Sequence, residues 1–286
     1  MKKFKIKSYC KVNLSLKVIR KLRNGYHDIQ SIVTFCNLYD EIYIQKINND
    51  KDKIYFLGKF KKGIDKNKNT IKKVLKLLRK MNFLKEERFA IYVKKNLPHG
   101  SGLGGASSNA ASLINFLNSK MKLKLTNKKI NKIAIQIGSD VPICLNKRNT
   151  IIDVKNKLLI LRKKFKFNIL IVYPNLIYST KKVYDKNKIF SLPKPYSRLV
   201  YKNNKKLISF FANEKNDLEK AAVKINPRIK ILINFIKNLN GCHFSRISGS
   251  GSACIGIFSD MKTALYAKRL INLKFPKYWC RVSKTI

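Results

Sequence analysis

Acidic side chains are scarce in this chain of 286 residues. Fifteen aspartates and glutamates stand against 63 lysines and arginines, which gives a formal net charge of +48. Such an excess is typical of nucleic-acid-binding proteins when the basic residues cluster with aromatics. Here the lysines are spread along the whole chain, and Lys, Asn, Ile, Tyr and Phe are all abundant, as A/T-rich codons would produce. We therefore expect no specific nucleic-acid partner, and only weak, steeply salt-dependent binding to DNA or RNA.

Long apolar runs and cysteine motifs are also missing. No apolar run approaches the roughly 18 residues of a membrane span, and the first residues alternate in polarity instead of forming the apolar core of a signal peptide. The six cysteines include no Cys-x-x-Cys pair and no histidine at zinc spacing, which favours reduced core thiols. We expect a cytoplasmic protein without a membrane partner or side-chain metal cluster, and a monomer or weak dimer.

Glycine is sparse overall, yet four glycines fall within six positions of one stretch. The stretch consists of Pro98, His99, Gly100, Ser101, Gly102, Leu103, Gly104, Gly105, Ala106, Ser107, Ser108 and Asn109. Glycine permits positive φ and a close approach of the backbone to a ligand, and Ser and Asn suit the start of a helix. Because an apolar run follows from Leu113, the pattern predicts a loop that wraps phosphate oxygens and opens directly into a helix.

Several phosphate-binding motifs can be excluded. A P-loop needs Gly-Lys-Ser/Thr after its last glycine, whereas Gly105 is followed by Ala106. Three of the glycines satisfy the dinucleotide-binding spacing, but that fold needs an acidic residue about 20 positions further on. No Asp or Glu occurs between Phe89 and Ser139, which argues against a dinucleotide-binding site. The lysine strand, His-Arg-Asp loop and Asp-Phe-Gly of protein kinases are absent as well.

The stretch from Leu97 to Ala110 resembles, at nearly every position, the second motif of the GHMP kinase family. These small-molecule kinases share a Pro-x-Gly-x-Gly-Leu-Gly-(Gly/Ser)-(Ser/Ala)-Ser-Ser loop. The resemblance implies that residues 98–109 bind ATP through its phosphates. It also implies that Lys95 and Asn69 contact the nucleotide, although Asn69 by itself is read first as the N-cap of a helix.

Two further motifs contain the implied catalytic residues. Cys10-Lys11-Val12-Asn13-Leu14 resembles the first family motif, whose lysine lies at the active site, although Lys11 taken alone is typical of a solvated strand face. The segment Ile137–Pro142 resembles the Gly-(Ala/Ser)-Asp-Val-Pro motif that carries the catalytic aspartate, although an Asp at a helix exit is ordinarily a turn residue. The resemblance assigns catalysis to Lys11 and Asp140. A third family motif resembles Arg246–Cys254, whose glycines allow a tight turn against the nucleotide loop.

The prediction of a substrate site depends on the segment Gly25-Tyr26-His27. On its own, this segment is a turn followed by a pair of aromatic residues in a loop. Within the family it resembles the branch whose Tyr and His hold the cytosine of 4-diphosphocytidyl-2-C-methyl-D-erythritol. An aromatic face can stack on a pyrimidine, and a histidine can contact its polar edge. The resemblance adds three substrate contacts, which are Asn13, Thr180 and Tyr184.

The implied reaction transfers a phosphoryl group from ATP to the 2-hydroxyl of that alcohol, a step in non-mevalonate isoprenoid precursor synthesis. Asp140 would accept the hydroxyl proton, and a neighbouring Lys11 would keep Asp140 ionised. Mg²⁺ would bridge phosphate oxygens, helped by Ser107 or Ser108.

The fold implied is a two-domain α+β GHMP kinase fold. Residues 1–160 would form an ATP-binding domain like ribosomal protein S5 domain 2, and residues 161–286 a ferredoxin-like domain. Periodicity independently predicts a half-buried strand over Phe4–Val18 and a helix opened by Asn69 and Thr70.

Two alternatives remain at this point. Another kinase of the same fold would act on homoserine, mevalonate or a sugar, and the Gly-Tyr-His motif argues against it. An RNA-binding protein on a decayed kinase fold would account for the charge. The intact Lys11, Asp140 and glycine loop argue against that decay.

Overall fold

The computed structural model describes residues 2–65, 67–196 and 203–286. The elements of the first half are β1 (Phe4–Lys21), β2 (His27–Ile47), β3 (Lys53–Leu57), α1 (Thr70–Lys80), β4 (Arg88–Lys94), α2 (Gly105–Lys120), α3 (Asn127–Ile137) and α4 (Val141–Cys144). Those of the second half are β5 (Thr150–Asp153), β6 (Lys157–Ile160), β7 (Asn168–Tyr173), α5 (Thr180–Asp185), α6 (Asn204–Asn213), α7 (Glu219–Ile225), α8 (Arg228–Lys237), β8 (Cys242–Ile247), β9 (Cys254–Phe258), α9 (Met261–Lys274) and β10 (Trp279–Lys284). This mixture of helices and strands agrees with the predicted α+β class.

Strand β1 differs from the half-buried strand that its alternation predicts. Its apolar side is buried as expected, but Lys11, Asn13 and Ser15 on the polar side are also buried, with exposures of 4%, 2% and 0%. The expectation of a solvated Lys11 face, taken from the residues alone, is therefore wrong. For Lys11 and Asn13, burial is tolerated because hydrogen bonds replace water around their polar groups.

The backbone separates into two compact units that are interleaved along the chain. Unit 1 comprises Met1–Cys10, Leu38–His99 and Gly104–Lys147, and unit 2 comprises Lys11–Asn37, Gly100–Leu103 and Arg148–Ile286. These units group residues by spatial proximity, so the expected sequence boundary between residues 160 and 161 stays a prediction.

Unit 1 contains paired strands and the helices α1 to α4. The C-terminal half of β2 pairs antiparallel with β4, from Glu41 opposite Lys94 to Ile47 opposite Arg88, and β4 pairs in parallel with β3. Helix α1 packs on α2 and α3. Its buried stripe is Ile71, Val74, Leu75 and Leu78, the spacing of an amphipathic helix.

Unit 2 contains a four-stranded antiparallel sheet of order β10-β7-β9-β8. Helices α8 and α9 contact the strands of this sheet. The core they share includes Leu170, Val172, Leu232, Ile236 and Ile271, and it also takes in Leu16 and Val18 of β1. In the same unit the start of β2 pairs with β5, and β5 pairs with β6.

Two expectations about composition can be compared with the described residues. None of their helices combines the length and apolarity needed to cross a membrane. The six cysteines all lie in described residues, form no disulfide there, and are buried except for the half-buried Cys242. Burial raises the pKa of the Cys280 thiol to about 12, as expected of a reduced core thiol.

Candidate active site

The backbone of the loop between β4 and α2 explains its glycines. Gly100, Gly102 and Gly104 have φ values of +64°, +81° and +64°, a region that residues with a β-carbon rarely adopt. Gly102 has a second constraint, because a β-carbon there would overlap the carbonyl oxygen of Ser248. Conformation and close packing both demand glycine at this position.

The third motif packs against the centre of this loop within unit 2. The Ser248 hydroxyl donates to the carbonyl oxygen of Gly102 at 3.1 Å, and the Ala253 N–H donates to the carbonyl oxygen of Ser101 at 3.0 Å. The predicted tight turn of Arg246–Cys254 against the loop is therefore confirmed.

Helix α2 follows the loop directly, as predicted. Gly104 is its N-cap, no side chain caps it, and its first turn contains no acidic residue. The first N–H groups of a helix lack intrahelical acceptors and lie at the positive end of the dipole, so this terminus suits an anion. Ser107 is half-buried in the first turn, whereas the buried Ser108 donates its hydroxyl to Cys144 Sγ at 3.3 Å.

Two other loop positions are held within unit 1. A ring nitrogen of His99 lies 3.0 Å from the carbonyl oxygen of Lys62, and the Ala106 carbonyl accepts the Thr70 hydroxyl at 2.9 Å. Pro98 is buried, while Ala106 is exposed.

Asn69 lies at the start of α1, and its side chain accepts the Lys72 N–H at 2.9 Å. The N-cap interpretation is confirmed, and its contact with the nucleotide stays a prediction.

Lys11 and Asn13 form a buried polar pair on β1. The Lys11 ammonium donates to Asn13 Oδ1 at 2.9 Å, and Asn13 Nδ2 donates to the Ser31 hydroxyl at 2.9 Å. Backbone bonds link this pair to the motifs around it: the Lys11 N–H donates to the Leu103 carbonyl at 3.0 Å, and the Asn13 N–H donates to the Ser248 hydroxyl at 3.2 Å. The first motif, the loop centre and the third motif are thus joined within unit 2.

Asp140 immediately precedes α4, whose second residue is Pro142. Its side chain makes no capping bond to this short helix and is half-buried. The carboxylate is therefore not used as a helix cap, which is the usual structural use of an Asp at this position.

The predicted substrate residues of unit 2 differ in exposure. His27 and Tyr184 lie together, with ring centroids 4.8 Å apart and planes inclined by 31°. Tyr26 is 69% exposed in the turn before β2, where its N–H donates to Asn24 Oδ1 at 3.1 Å. Thr180, the first residue of α5, is exposed, and its hydroxyl lies 3.1 Å from that of Ser250.

The electrostatic surroundings of His27 keep its ring neutral. Burial lowers the pKa of His27 below its ordinary value of 6.5, the nearby Lys21 lowers it further, and Asp185 opposes both effects. At neutral pH the ring therefore offers one N–H donor and one acceptor nitrogen, the pair needed at the polar edge of a base.

Sequence reasoning missed Asp40. This residue of β2 is fully buried, forms an ion pair with the Lys95 ammonium, and accepts a bond from Asn109 Nδ2 at 3.1 Å. The structure shows both Lys95 and Asn109 bound to this carboxylate, and their expected contact with the nucleotide stays a prediction. The available signal was an acidic residue between apolar strand positions in a chain with few acids.

Among the described residues, few side chains at the site could ligate a divalent cation. The described residues contain no cluster of three or more His, Cys, Asp or Glu that could hold a metal ion. Mg²⁺ in phosphoryl-transfer sites usually keeps only one or two protein ligands and takes the rest from phosphates and water. The hydroxyl of the half-buried Ser107 fits that sparse mode.

Comparison with known proteins defines the class. The chain matches the models of the GHMP kinases N-terminal domain over residues 69–148 and the GHMP kinases C-terminal domain over residues 199–271. With these matches, the three motifs and the two-domain α+β fold, the chain belongs to the GHMP kinase family of small-molecule kinases.

The chain is also similar, over nearly its full length, to kinases that share one name. The chain is 38% identical to a 4-diphosphocytidyl-2-C-methyl-D-erythritol kinase of Pelagibacter ubique, over all of both chains. It is 32% identical to the Anaplasma phagocytophilum protein of the same name, over 98% of this chain and 93% of the relative. A crystal structure of 4-(cytidine 5'-diphospho)-2C-methyl-D-erythritol kinase has the same fold, with a TM-score of 0.79 and 22% identity, and covers 98% of this chain and 99% of that one.

Proposed function

We propose that this protein transfers the γ-phosphoryl group of ATP to the 2-hydroxyl of 4-diphosphocytidyl-2-C-methyl-D-erythritol. The observation that carries the proposal is the contact between the rings of His27 and Tyr184 in unit 2, where His27 directly follows Tyr26 in the chain. A flat heteroaromatic ring can stack on such a site, whereas homoserine, mevalonate and sugars have no aromatic ring. The full-length similarity to kinases of that name supports the same substrate.

Asp140 would act as the general base that accepts the proton of the attacking hydroxyl. A positioned carboxylate can do this, and the Asp140 side chain makes no capping bond to α4. Lys11 would stabilise the negative charge that develops during phosphoryl transfer. Its ammonium is oriented by Asn13, so little rearrangement is needed when the charge appears.

The loop Pro98–Ser108 would bind the phosphates through backbone N–H groups, with the start of α2 adding its dipole. When bound, Mg²⁺ supplies charge neutralisation between phosphate oxygens, and the hydroxyl of Ser107 or Ser108 would help to hold it. Asn69, Lys95 and Asn109 would add further contacts to the nucleotide.

Tyr26 and His27 would bind the cytosine, with Tyr184 as a further stacking face and Asn13 and Thr180 as polar contacts. Neutral His27 can both donate to and accept from the edge of the base. We further propose a cytoplasmic location, a monomeric or weakly dimeric state, and no specific nucleic-acid partner.

The experiment is an ADP-release assay with the purified protein and a panel of alcohols. The panel contains the cytidylylated methylerythritol, uncytidylylated methylerythritol, homoserine, mevalonate and galactose, with Asp140→Asn as the background control. We expect rapid ADP release only with the cytidylylated alcohol. Equal or faster turnover of any other member would reject the proposed substrate in favour of another kinase of this fold.

A further inference from the structure

Asp40 carries a charge that the proposed reaction does not use. Its side chain has no exposed surface, and four donors surround it. Oδ1 accepts the N–H groups of Asn96 at 2.8 Å and Leu97 at 2.9 Å, while Oδ2 receives the Lys95 ammonium and Asn109 Nδ2. A buried carboxylate is expensive unless it is paired and hydrogen-bonded, and here both oxygens are satisfied.

The four donors come from the two sides of the glycine loop. Asn96 and Leu97 immediately precede Pro98, and Asn109 lies in the second turn of α2, which begins at Gly105. The approach is close: a β-carbon on Gly105 would lie 3.4 Å from the Lys95 ammonium and 3.6 Å from Asp40 Oδ2. One carboxylate therefore connects the segment before the loop to the helix after it, all within unit 1.

Asp40 also determines which way the Asn109 amide faces. A carboxylate can only accept hydrogen bonds, so the amide must turn its NH₂ group toward Asp40. This leaves Asn109 Oδ1 buried and without a hydrogen-bond partner among the described residues. A buried acceptor left open is costly in a folded protein, unless a ligand supplies the donor.

We propose that Asp40 is a positioning residue for nucleotide binding, which holds both sides of the glycine loop and presents the oxygen of Asn109 to a donor on the nucleotide. The inference rests on the proposed role of the loop in binding ATP. The mechanism is preorganisation: a loop fixed before the ligand arrives loses less conformational freedom on binding.

Two double variants separate positioning from simple stability. Asp40→Asn with Lys95→Met removes the charged pair and keeps an oxygen for the two backbone N–H groups. Asp40→Leu with Lys95→Met removes the same charges and that oxygen as well. Replacing a buried ion pair by apolar groups is often tolerated, and any direct contribution of Lys95 is lost equally in both.

The readout is the equilibrium Kd for ADP, with thermal unfolding measured in parallel. We expect the Leu/Met variant to bind ADP on the order of 10- to 100-fold more weakly than the Asn/Met variant, because the buried N–H groups before the loop lose their acceptor and no longer hold it. Equal Kd values would overturn the proposal. Because this Kd contains no contribution from the alcohol, a different alcohol substrate would refute the proposed function and leave this comparison unaffected.

A matched control is another well-bonded carboxylate of unit 1. Asp52 accepts hydrogen bonds from the two terminal guanidinium nitrogens of Arg79, at 2.6 and 2.8 Å, and from the N–H of Phe89 at 2.9 Å. Phe89 lies at the start of β4 and not beside the loop. Asp52→Leu with Arg79→Met should lower thermal stability without changing the Kd for ADP. An equal loss of ADP affinity in this control would show a general effect of destabilisation and reject a specific role for Asp40.

Hydrogen exchange on the wild-type protein tests the geometry even if the Leu/Met variant does not fold. The N–H groups of Asn96 and Leu97 should exchange slowly without nucleotide, because a buried carboxylate accepts both. Fast exchange at both positions would show that the loop is not held in advance, and would overturn the proposal.

Discussion

The surroundings of the glycine loop and the turn that carries Tyr26 are built in opposite ways. Gly102 is in close contact with the Ser248 carbonyl oxygen, and the segment that leads into the loop is bonded to the fully buried Asp40. Tyr26 has 69% of its surface exposed, and its turn is held by short-range bonds to Leu22 and Asn24. The proposed phosphate site is thus rigid before ligand binds, whereas the proposed base site is open.

The difference follows from the chemistry of the two ligands. Phosphate oxygens are recognised by N–H groups that must be placed to within tenths of an ångström. Buried contacts hold the backbone in that position. A cytosine ring is recognised by its face and edge, and an exposed aromatic side chain can adjust to it at little entropic cost. Five predictions, in order of decreasing effect, test the proposed roles and this contrast.

The largest effect is expected at the catalytic residues. Asp140→Asn should lower kcat by on the order of 10²- to 10⁴-fold, as is typical when a general base is lost, with little change in the KM for ATP. Steady-state kinetics with both substrates measure this. Near-normal turnover would remove Asp140 from the role of base.

Lys11→Ala should lower kcat by a similar factor in the same kinetic assay. Because the two residues serve one chemical step, the losses in the double variant should be far from additive. Strict additivity would indicate that Lys11 contributes independently of proton transfer.

The rigidity of the loop predicts a strong response at Gly102. Gly102→Ala places a β-carbon against the backbone of Ser248 at a φ of +81°, so the loop must move. We expect kcat/KM to fall by on the order of 100-fold, the usual result of displacing a site by about 1 Å.

Gly100→Ala is the matched control for Gly102→Ala. It also has a positive φ of +64°, but its β-carbon would meet only Ile177 Cγ2 at an ordinary 3.5 Å. The loss of kcat/KM in Gly100→Ala should be smaller than in Gly102→Ala. It should correspond to roughly 1 kcal/mol, which is the cost of a left-handed conformation for an L residue. Equal losses in the two variants would mean that backbone conformation, and not packing on the third motif, limits the loop.

In the exposed turn, Tyr26→Ala should raise the KM for the alcohol by about 5- to 150-fold, because stacking of a base on an aromatic ring contributes roughly 1–3 kcal/mol. The KM for ATP should not change, and part of the loss can appear in kcat, since remote binding energy orients the hydroxyl. Tyr26→Phe should be mild because the aromatic face remains. An unchanged KM for the alcohol in Tyr26→Ala would refute the cytosine site.

The smallest effect concerns the charge of His27. Since burial and Lys21 lower the pKa of His27 in the folded state, the unfolded chain binds the proton more readily, and stability should fall as the pH drops below about 6.5. An NMR titration of the three histidines should place His27 below 6.5. Lys21→Gln should raise this pKa and Asp185→Asn should lower it; shifts in the reverse direction would contradict the electrostatic account.

Part of the fold and the site can be predicted from local pattern. The stripe Ile71, Val74, Leu75 and Leu78 predicts α1, the residues around Asn69 predict its cap, and the glycines at 100–105 predict a loop that opens into a helix. The family motifs led to the membership that the full-length comparisons confirm. Domain limits and residue roles stay predictions.

Burial and pairing across distant parts of the chain could not be predicted. The alternation of β1 indicated a solvated polar side, but Ser31 and Ser248, 18 and 235 residues away from Asn13, bond to that side and keep it buried. Asp40 is separated by 55 residues from Lys95 and by 69 from Asn109. Local sequence determined which segments are helices, strands and loops, because periodicity and glycine act over a few residues. Only the tertiary structure decided which charges are buried and what they hold, because such bonds join residues far apart in the chain.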